Sequence, residues 1–197
     1  MTTTRKQELR QELRARRRQL STAQQRQASA RLDTRLRQQP CLRAAHHIAF
    51  YIASDGELSP RPTLLRLARQ GRQCFLPCIS GQRLEFRRYR PGQTMKRNLF
   101  NIPEPPARRS LRRHPQQLDV ILLPLVGFDA KGNRLGMGGG FYDRTLGGLK
   151  QKRRPLLIGL AHEFQRLNQL PVQSWDIPLD AIATDKGFYW IKRRQRR

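Results

Sequence analysis

The sequence predicts an α/β fold, a mostly parallel or mixed sheet covered by helices on both faces. Two observations carry that prediction. Short apolar runs bounded by turn residues alternate with longer amphipathic segments along the chain, the pattern of strands and their covering helices. The strongest apolar run, Val120-Ile121-Leu122-Leu123-Pro124-Leu125-Val126, opens into a glycine-rich loop. Ligands collect at such a place, beyond the carboxyl end of a strand.

Taken in order, an amphipathic helix is expected from Thr4 to Leu20, with Leu9 and Leu13 four apart and charge elsewhere. Ser21 caps a second helix, and Gln24 three residues on completes a capping box. Pro40 ends that helical region, and Ile48 to Ala53 reads as the first strand. Ser59-Pro60 is the N-cap and first-turn pair of a helix that stops before Gly71. Strands follow at Gln73 to Ile79 and Arg83 to Tyr89, then a proline-rich connection from Pro91 to Pro115. After the central strand come a helix beyond Tyr142, a strand from Leu156 to Ala161, and short strands near Ala181 and Phe188.

A chain of 197 residues fits one domain, close to the usual range of about 100–200 residues. We expect 1–197 to be that domain, with a basic tail at 192–197. The charged N-terminus does not resemble a signal peptide, and no apolar run approaches the ~18 residues of a membrane span. A monomer in the cytoplasm with no membrane partner is expected. Cys41, Cys74 and Cys78 lack metal-binding spacing and read as free, mostly buried thiols; His46 and His47 suggest no ligand pair.

The block from Asp119 to Asp143 is the chemical clue. Gly132, Gly136, Gly138, Gly139 and Gly140 leave backbone N–H groups unshielded, as a loop around phosphate oxygens requires. The block lacks a Gly-Lys-Ser/Thr ending, and no Gly-x-Gly-x-x-Gly directly follows the strand, so neither a P-loop nor a dinucleotide site is supported. A glycine-rich hairpin tip is the plainer alternative. Against it, Arg134 supplies a fixed cation, Asp143 a hard oxygen ligand, and Phe141 and Tyr142 aromatic surface, a combination suited to ATP.

The stretch from Pro124 to Arg144, PLVGFDAKGNRLGMGGGFYDR, closely resembles the signature of the 5-formyltetrahydrofolate cyclo-ligase, or 5,10-methenyltetrahydrofolate synthetase, family. Lys6-x-x-x-Arg10, Ser54-Asp55-Gly56-Glu57-Leu58, Asn101-Ile102-Pro103-Glu104-Pro105, Leu170-Pro171-Val172 and Trp175-Asp176-Ile177-Pro178-Leu179-Asp180 fall in the family's order, so the resemblance spans roughly residues 4 to 185. It implies a three-layer α/β/α sandwich similar to sugar-phosphate isomerases. It also implies Mg²⁺-dependent use of ATP to close 5-formyltetrahydrofolate to 5,10-methenyltetrahydrofolate, with release of ADP and phosphate.

By the same resemblance, Lys6, Arg10, Arg134, Leu135, Gly136, Met137, Gly138, Gly139, Gly140, Phe141 and Tyr142 would contact ATP. Arg134 would stabilise the transferring γ-phosphoryl group. Asp143 and Asp176 would hold Mg²⁺, with Asp180 as the alternative to Asp176. Glu57 would accept the paired N–H donors of the pterin. Ile52, Phe100 and residues Met137, Gly138, Gly139, Gly140 and Phe141 would also touch the folate; a core role is the alternative for Phe100. Gly139 stands where other members carry lysine, which removes one cation near the phosphates.

The charge exceeds what these substrates need: 40 Lys plus Arg against 14 Asp plus Glu give +26. Basic clusters at Arg14 to Arg18, Arg108 to Arg113, Lys150 to Arg154 and Lys192 to Arg197 suggest a non-specific attraction for RNA or another polyanion, and would steer an anionic, polyglutamylated folate as well. Two other functions are weighed against the enzyme. A nucleic-acid-binding protein on this scaffold lacks a recognised RNA-binding aromatic motif, and a kinase or ligase for another substrate would have no reason to keep Glu57-Leu58.

Overall fold

The first helix is set by Leu9 and Leu13. Both are buried on one face, against Val126, Leu135 and Leu170, and this apolar pair fixes α1 (Thr2–Arg18) across the loops that follow the sheet. The computed structural model describes residues 2–107, 112–149 and 154–191. The tail 192–197 and most of the two basic clusters around 108–113 and 150–154 lie outside them. In α2 (Thr22–Arg37), Ser21 Oγ accepts from Gln24 N at 3.2 Å and Gln24 Oε1 accepts from Ser21 N at 2.8 Å, the expected capping box. Ala28, Leu32 and Leu36 recur every four residues along its buried face.

Pro40 does not end α2, which stops at Arg37; it opens a short helix, α3 (Pro40–Ala44), where its missing N–H is not needed. Ser59 likewise is not the N-cap of the next helix, α4 (Arg61–Arg69). Pro60 occupies the cap, and Ser59 Oγ accepts from Arg61 N at 3.3 Å.

Among the described residues one large sheet runs in the order β12-β11-β10-β7-β1-β2-β3-β6. The strands are β1 (His47–Ala49), β2 (Gln73–Ser80), β3 (Arg83–Arg88), β6 (Arg112–Arg113), β7 (Val120–Pro124), β10 (Leu156–Ala161), β11 (Ala181–Thr184) and β12 (Phe188–Trp190). The five central strands are parallel and the two edges antiparallel, so the sheet is mixed. Its residues alternate between two cores. Ile48, Leu122 and Ile158 face α2, α3 and α4, while Ala49, Ile121, Leu123 and Leu157 face α5 (Phe141–Leu146) and the segment around Leu179. Truncating a central side chain such as Leu32 to alanine should cost about 2–5 kcal/mol.

Two expected strands are shorter than their apolar runs. β1 ends at Ala49 and the chain peels away toward Asp55. β7 ends at Pro124, whose missing N–H stops the ladder, and Val126 N donates instead to Leu135 O at 2.7 Å. The connection from Pro91 to Pro115 is less irregular than its prolines suggest: it contains the hairpin of β4 (Lys96–Arg97) and β5 (Pro103–Glu104), and β6. The three cysteines are free, Cys74 and Cys78 buried in β2. His46 and His47 are tied to Asp119, which accepts from both backbone N–H groups. No helix among the described residues is long and apolar enough to cross a membrane.

Candidate functional site

From β1 the chain order turns one way along the sheet through α4 to β2, and β7 continues the other way through α5 to β10. The carboxyl ends of β1 and β7 therefore flank a switch point, where open α/β sheets place their ligands. Two loops meet there, and α1 lies across both.

The loop after β1 turns through two left-handed residues, Asp55 (φ 49°) and Gly56 (φ 74°). Only glycine fits at 56, because a Cβ there would stand 2.7 Å from the Arg17 carbonyl oxygen. Three arginines of α1 converge on the Asp55 carboxylate: Arg14 Nε and Arg17 Nη2, each at 2.7 Å, and Arg18 Nε. Burial would raise this carboxyl, but the hydrogen bonds from Arg14, Arg18 and Arg17 outweigh it and hold Asp55 at about 2. Two residues on, Glu57 Oε2 accepts from Ser54 N at 3.0 Å. Here burial prevails over that hydrogen bond and the nearby Arg17 charge, and pushes Glu57 up to about 7. Burial raises the phenols of Tyr51 and Tyr142 as well, with Glu57 adding to both. Glu57 thus lies close to Tyr142, in the first turn of the helix that follows the second loop.

The second loop has two parts. Gly127–Leu135 supplies a hairpin, β8 (Gly127–Phe128) with β9 (Arg134–Leu135), whose turn is tied by the buried Asp129 to Lys131 N at 2.9 Å and Asn133 N at 3.1 Å. Gly132 is therefore hairpin material. Gly136 to Gly140 lead instead over the sheet end to α5, and Gly140 adopts φ 64° at the helix entry, where a Cβ would stand 2.6 Å from Arg144 Nη1. Arg10 Nε donates to Gly136 O at 2.8 Å. Phe141 meets Phe100 edge-on with ring centroids 6.1 Å apart. Phe100 is 55% exposed, so the core alternative for it is wrong. Met137 is exposed too, and Ile52 packs half-buried at the end of β1.

Cations and carboxylates alternate around the far corner. Arg134 Nη2 donates to Asp143 Oδ1 at 2.5 Å, and its Nη1 to the Ile177 carbonyl; Ile177 N donates back to Asp143 Oδ1 at 3.3 Å. Lys6 Nζ donates to Asp176 Oδ2 at 3.0 Å. Asp143 and Asp176 therefore belong to one corner. Asp180 is directed to β10, where it accepts from Leu157 N at 2.9 Å and from Arg154. Two carboxylates suit a hard cation that takes one or two protein oxygens and fills its shell with phosphate and water. No group of three metal-binding side chains occurs among the described residues.

Missing from the sequence reading are Arg14, Arg17 and Arg18, taken there as part of a surface cluster. Their signal was present in the spacing. Lys6, Arg10, Arg14 and Arg17 continue at intervals of four and three, one face of a helix. Arg16 lies over the Phe164 ring at 4.8 Å.

The profile of the 5-formyltetrahydrofolate cyclo-ligase family matches residues 2–185. The chain is 40% identical over 183 residues to the 5-formyltetrahydrofolate cyclo-ligase of Escherichia coli (strain K12), covering 90% of this chain and all of that one. It is 39% identical over 182 residues to the enzyme of the same name from Haemophilus influenzae, covering 91% and 97%. The solved structure of Aquifex aeolicus 5,10-methenyltetrahydrofolate synthetase superposes with a TM-score of 0.83 at 30% identity, over 96% of this chain and 94% of that one. With sequence and architecture alike over nearly their full length, the chain belongs to the 5-formyltetrahydrofolate cyclo-ligase family.

Proposed function

We propose that this protein uses ATP to cyclise 5-formyltetrahydrofolate to 5,10-methenyltetrahydrofolate, releasing ADP and phosphate. The observation that carries this is the meeting of two loops under one helix. Lys6 and Arg10 of α1 reach Asp176 and the glycine loop, and further along the same helix Arg14 and Arg17 reach the loop that holds Glu57.

Lys6, Arg10 and the segment from Arg134 through Tyr142 would grip the triphosphate. Met137 to Phe141, Ile52 and Phe100 would face the folate, and Glu57 as a carboxylate would accept the pterin N–H pair. The formyl oxygen attacks the γ-phosphorus while the bond to ADP breaks. N10 then attacks the activated formyl carbon and loses its proton, and the C–O bond breaks to release phosphate. Arg134, side chain 5% exposed, would neutralise the transferring group. Asp143 and Asp176 would hold Mg²⁺, which when bound neutralises phosphate charge. What the chain contributes is placement and charge. A single domain acting as a cytoplasmic monomer belongs to the same proposal, as does electrostatic attraction of a polyglutamylated folate.

The test is incubation with ATP, Mg²⁺ and 5-formyltetrahydrofolate while methenyl absorbance is followed. An ATP-dependent rise is expected. ATP hydrolysis without folate dependence would point to another substrate, and salt-sensitive RNA retention without turnover to a binding protein.

A further inference from the structure

Arg17 is wholly buried at the heart of the two-loop junction. Its Nε donates to the Asp55 carbonyl at 2.8 Å and its Nη2 to the Asp55 carboxylate at 2.7 Å, a fork that holds backbone and side chain of one residue at once. The residue so held is a non-glycine in left-handed conformation, which persists only where the surroundings over-determine it. The Arg17 carbonyl packs where the Cβ of residue 56 would be, and Gln25 Nε2 and His162 Nε2 close on the Gly56 carbonyl at 3.0 and 3.3 Å. On its other side Arg17 Nη2 lies 4.0 Å from Met137 Sδ in the glycine loop. Its Nη1 is buried without a hydrogen-bond partner, as is one nitrogen each of Arg87, Arg88 and Arg154, so the fork on Asp55 and the contact with the glycine loop are what distinguish Arg17.

We propose that Arg17 is a positioning residue for the folate end of the site: by clamping the Asp55–Gly56 turn against α1 it sets Glu57 opposite the glycine loop. This rests on the folate role proposed above for Glu57. The groups facing Glu57 are Arg14 and Arg17 from α1, Asp55 and the Ser54 N–H from its own loop, Tyr51 from the end of β1 and Tyr142 from α5. Arg17 is the foremost cation among them, so its loss should make the Glu57 carboxyl harder to ionise.

The experiment compares Arg17→Lys, Arg17→Gln and Asp55→Asn with the unaltered protein, measuring KM for each substrate, kcat, equilibrium binding of 5-formyltetrahydrofolate without ATP, and the pH profile of kcat/KM. All three variants should weaken folate binding and raise its KM by about tenfold or more, the effect of a lost charge-assisted contact, while KM for ATP stays within about twofold. Arg17→Gln should also move the acidic limb of the profile to higher pH, whereas Arg17→Lys, which keeps the charge, should leave it in place. In a Glu57→Gln background the Arg17 substitutions should add little. A merely structural role predicts a lower melting temperature and a smaller active fraction with folate KM and the acidic limb unmoved; that result would overturn the proposal. If Arg17→Gln does not fold, Arg17→Lys and Asp55→Asn still decide it. Failure of the functional reading is separate, because then the unaltered protein makes no methenyl product.

Discussion

The two ends of the basic stripe on α1 follow opposite electrostatic plans. Near Lys6 and Arg10, cations and acids are matched: Lys6 with Asp176, Arg134 with Asp143, and Arg10 on a carbonyl. A polyanion with its metal can enter such a corner by exchanging partners, because Lys6 and Arg134 already hold a counter-charge of the kind the ligand brings and Arg10 holds only a carbonyl. At the Arg14–Arg17 end, three guanidiniums are spent on Asp55, which leaves the part-buried Glu57 with a backbone N–H as its hydrogen-bond donor. The first end handles charge, and the second keeps a poised hydrogen-bond acceptor. One helix therefore serves both proposed substrates without placing a free cation beside the pterin.

The largest expected effect lies at the phosphate end. Arg134→Ala should lower kcat by about 10²–10³, the cost of removing one preorganised charge from a transition state. Equilibrium folate binding should stay within about twofold. An equal loss of folate affinity would show that the two ends are not separate.

Next comes Glu57→Gln, which replaces an acceptor of two N–H donors by a group that both donates and accepts. Folate affinity should fall by about 1.5–3 kcal/mol and ATP affinity should not change. Unchanged folate binding in this variant would remove Glu57 from the site.

Both ends were partly legible in the sequence. The glycine loop, Arg134 and Glu57 sit in strings that the family resemblance singles out, and the capping box at Ser21 is a local rule that the chain obeys. Arg17 was passed over within a run of five basic or small residues: its spacing from Lys6, Arg10 and Arg14 puts it on their helix face, but its complete burial is a tertiary property. β4 and β5 escaped notice because two-residue strands carry no periodicity, and Phe100 because exposure is a tertiary property. Pro40 was misassigned because proline suits both the end of one helix and the start of the next, and Ser59-Pro60 was placed one residue too early because helix ends shift by a position or two.

The two carboxylates of the Asp55 loop give a smaller effect with a distinctive sign. Asp55 at about 2 lies below its ordinary 3.8, so its stabilisation is present above that value and lost as pH falls toward 2. Glu57 at about 7 lies above its ordinary 4.5, so the fold is favoured below 4.5 and loses that contribution as pH rises through 7. Compared with Glu57→Gln, the unaltered protein should therefore lose about 1–2 kcal/mol between about pH 5 and about pH 8. Asp55→Asn should destabilise most near neutrality and least below about pH 3. Denaturant melts across pH would show the two trends; parallel trends would mean the loop is not split between a carboxylate held by arginines and one held by a backbone N–H.

The smallest effect separates α1 from α2 as the support of that loop. Ser21→Ala removes the cap of α2 and should cost about 1 kcal/mol, or about 2–4 °C in Tm for a chain of this size. Gln25, in the first turns of α2, donates to the Gly56 carbonyl at 3.0 Å and to the Arg17 carbonyl at 3.4 Å, so fraying there reaches the Asp55–Gly56 turn where α1 packs on it. If α1 holds the turn, the loosened cap should leave folate affinity within about twofold, because the Arg17 fork and the packing of its carbonyl against Gly56 remain. If folate affinity falls in Ser21→Ala as far as in Arg17→Lys, the turn depends on both helices, and the clean division along α1 gives way to a junction that either helix can disturb.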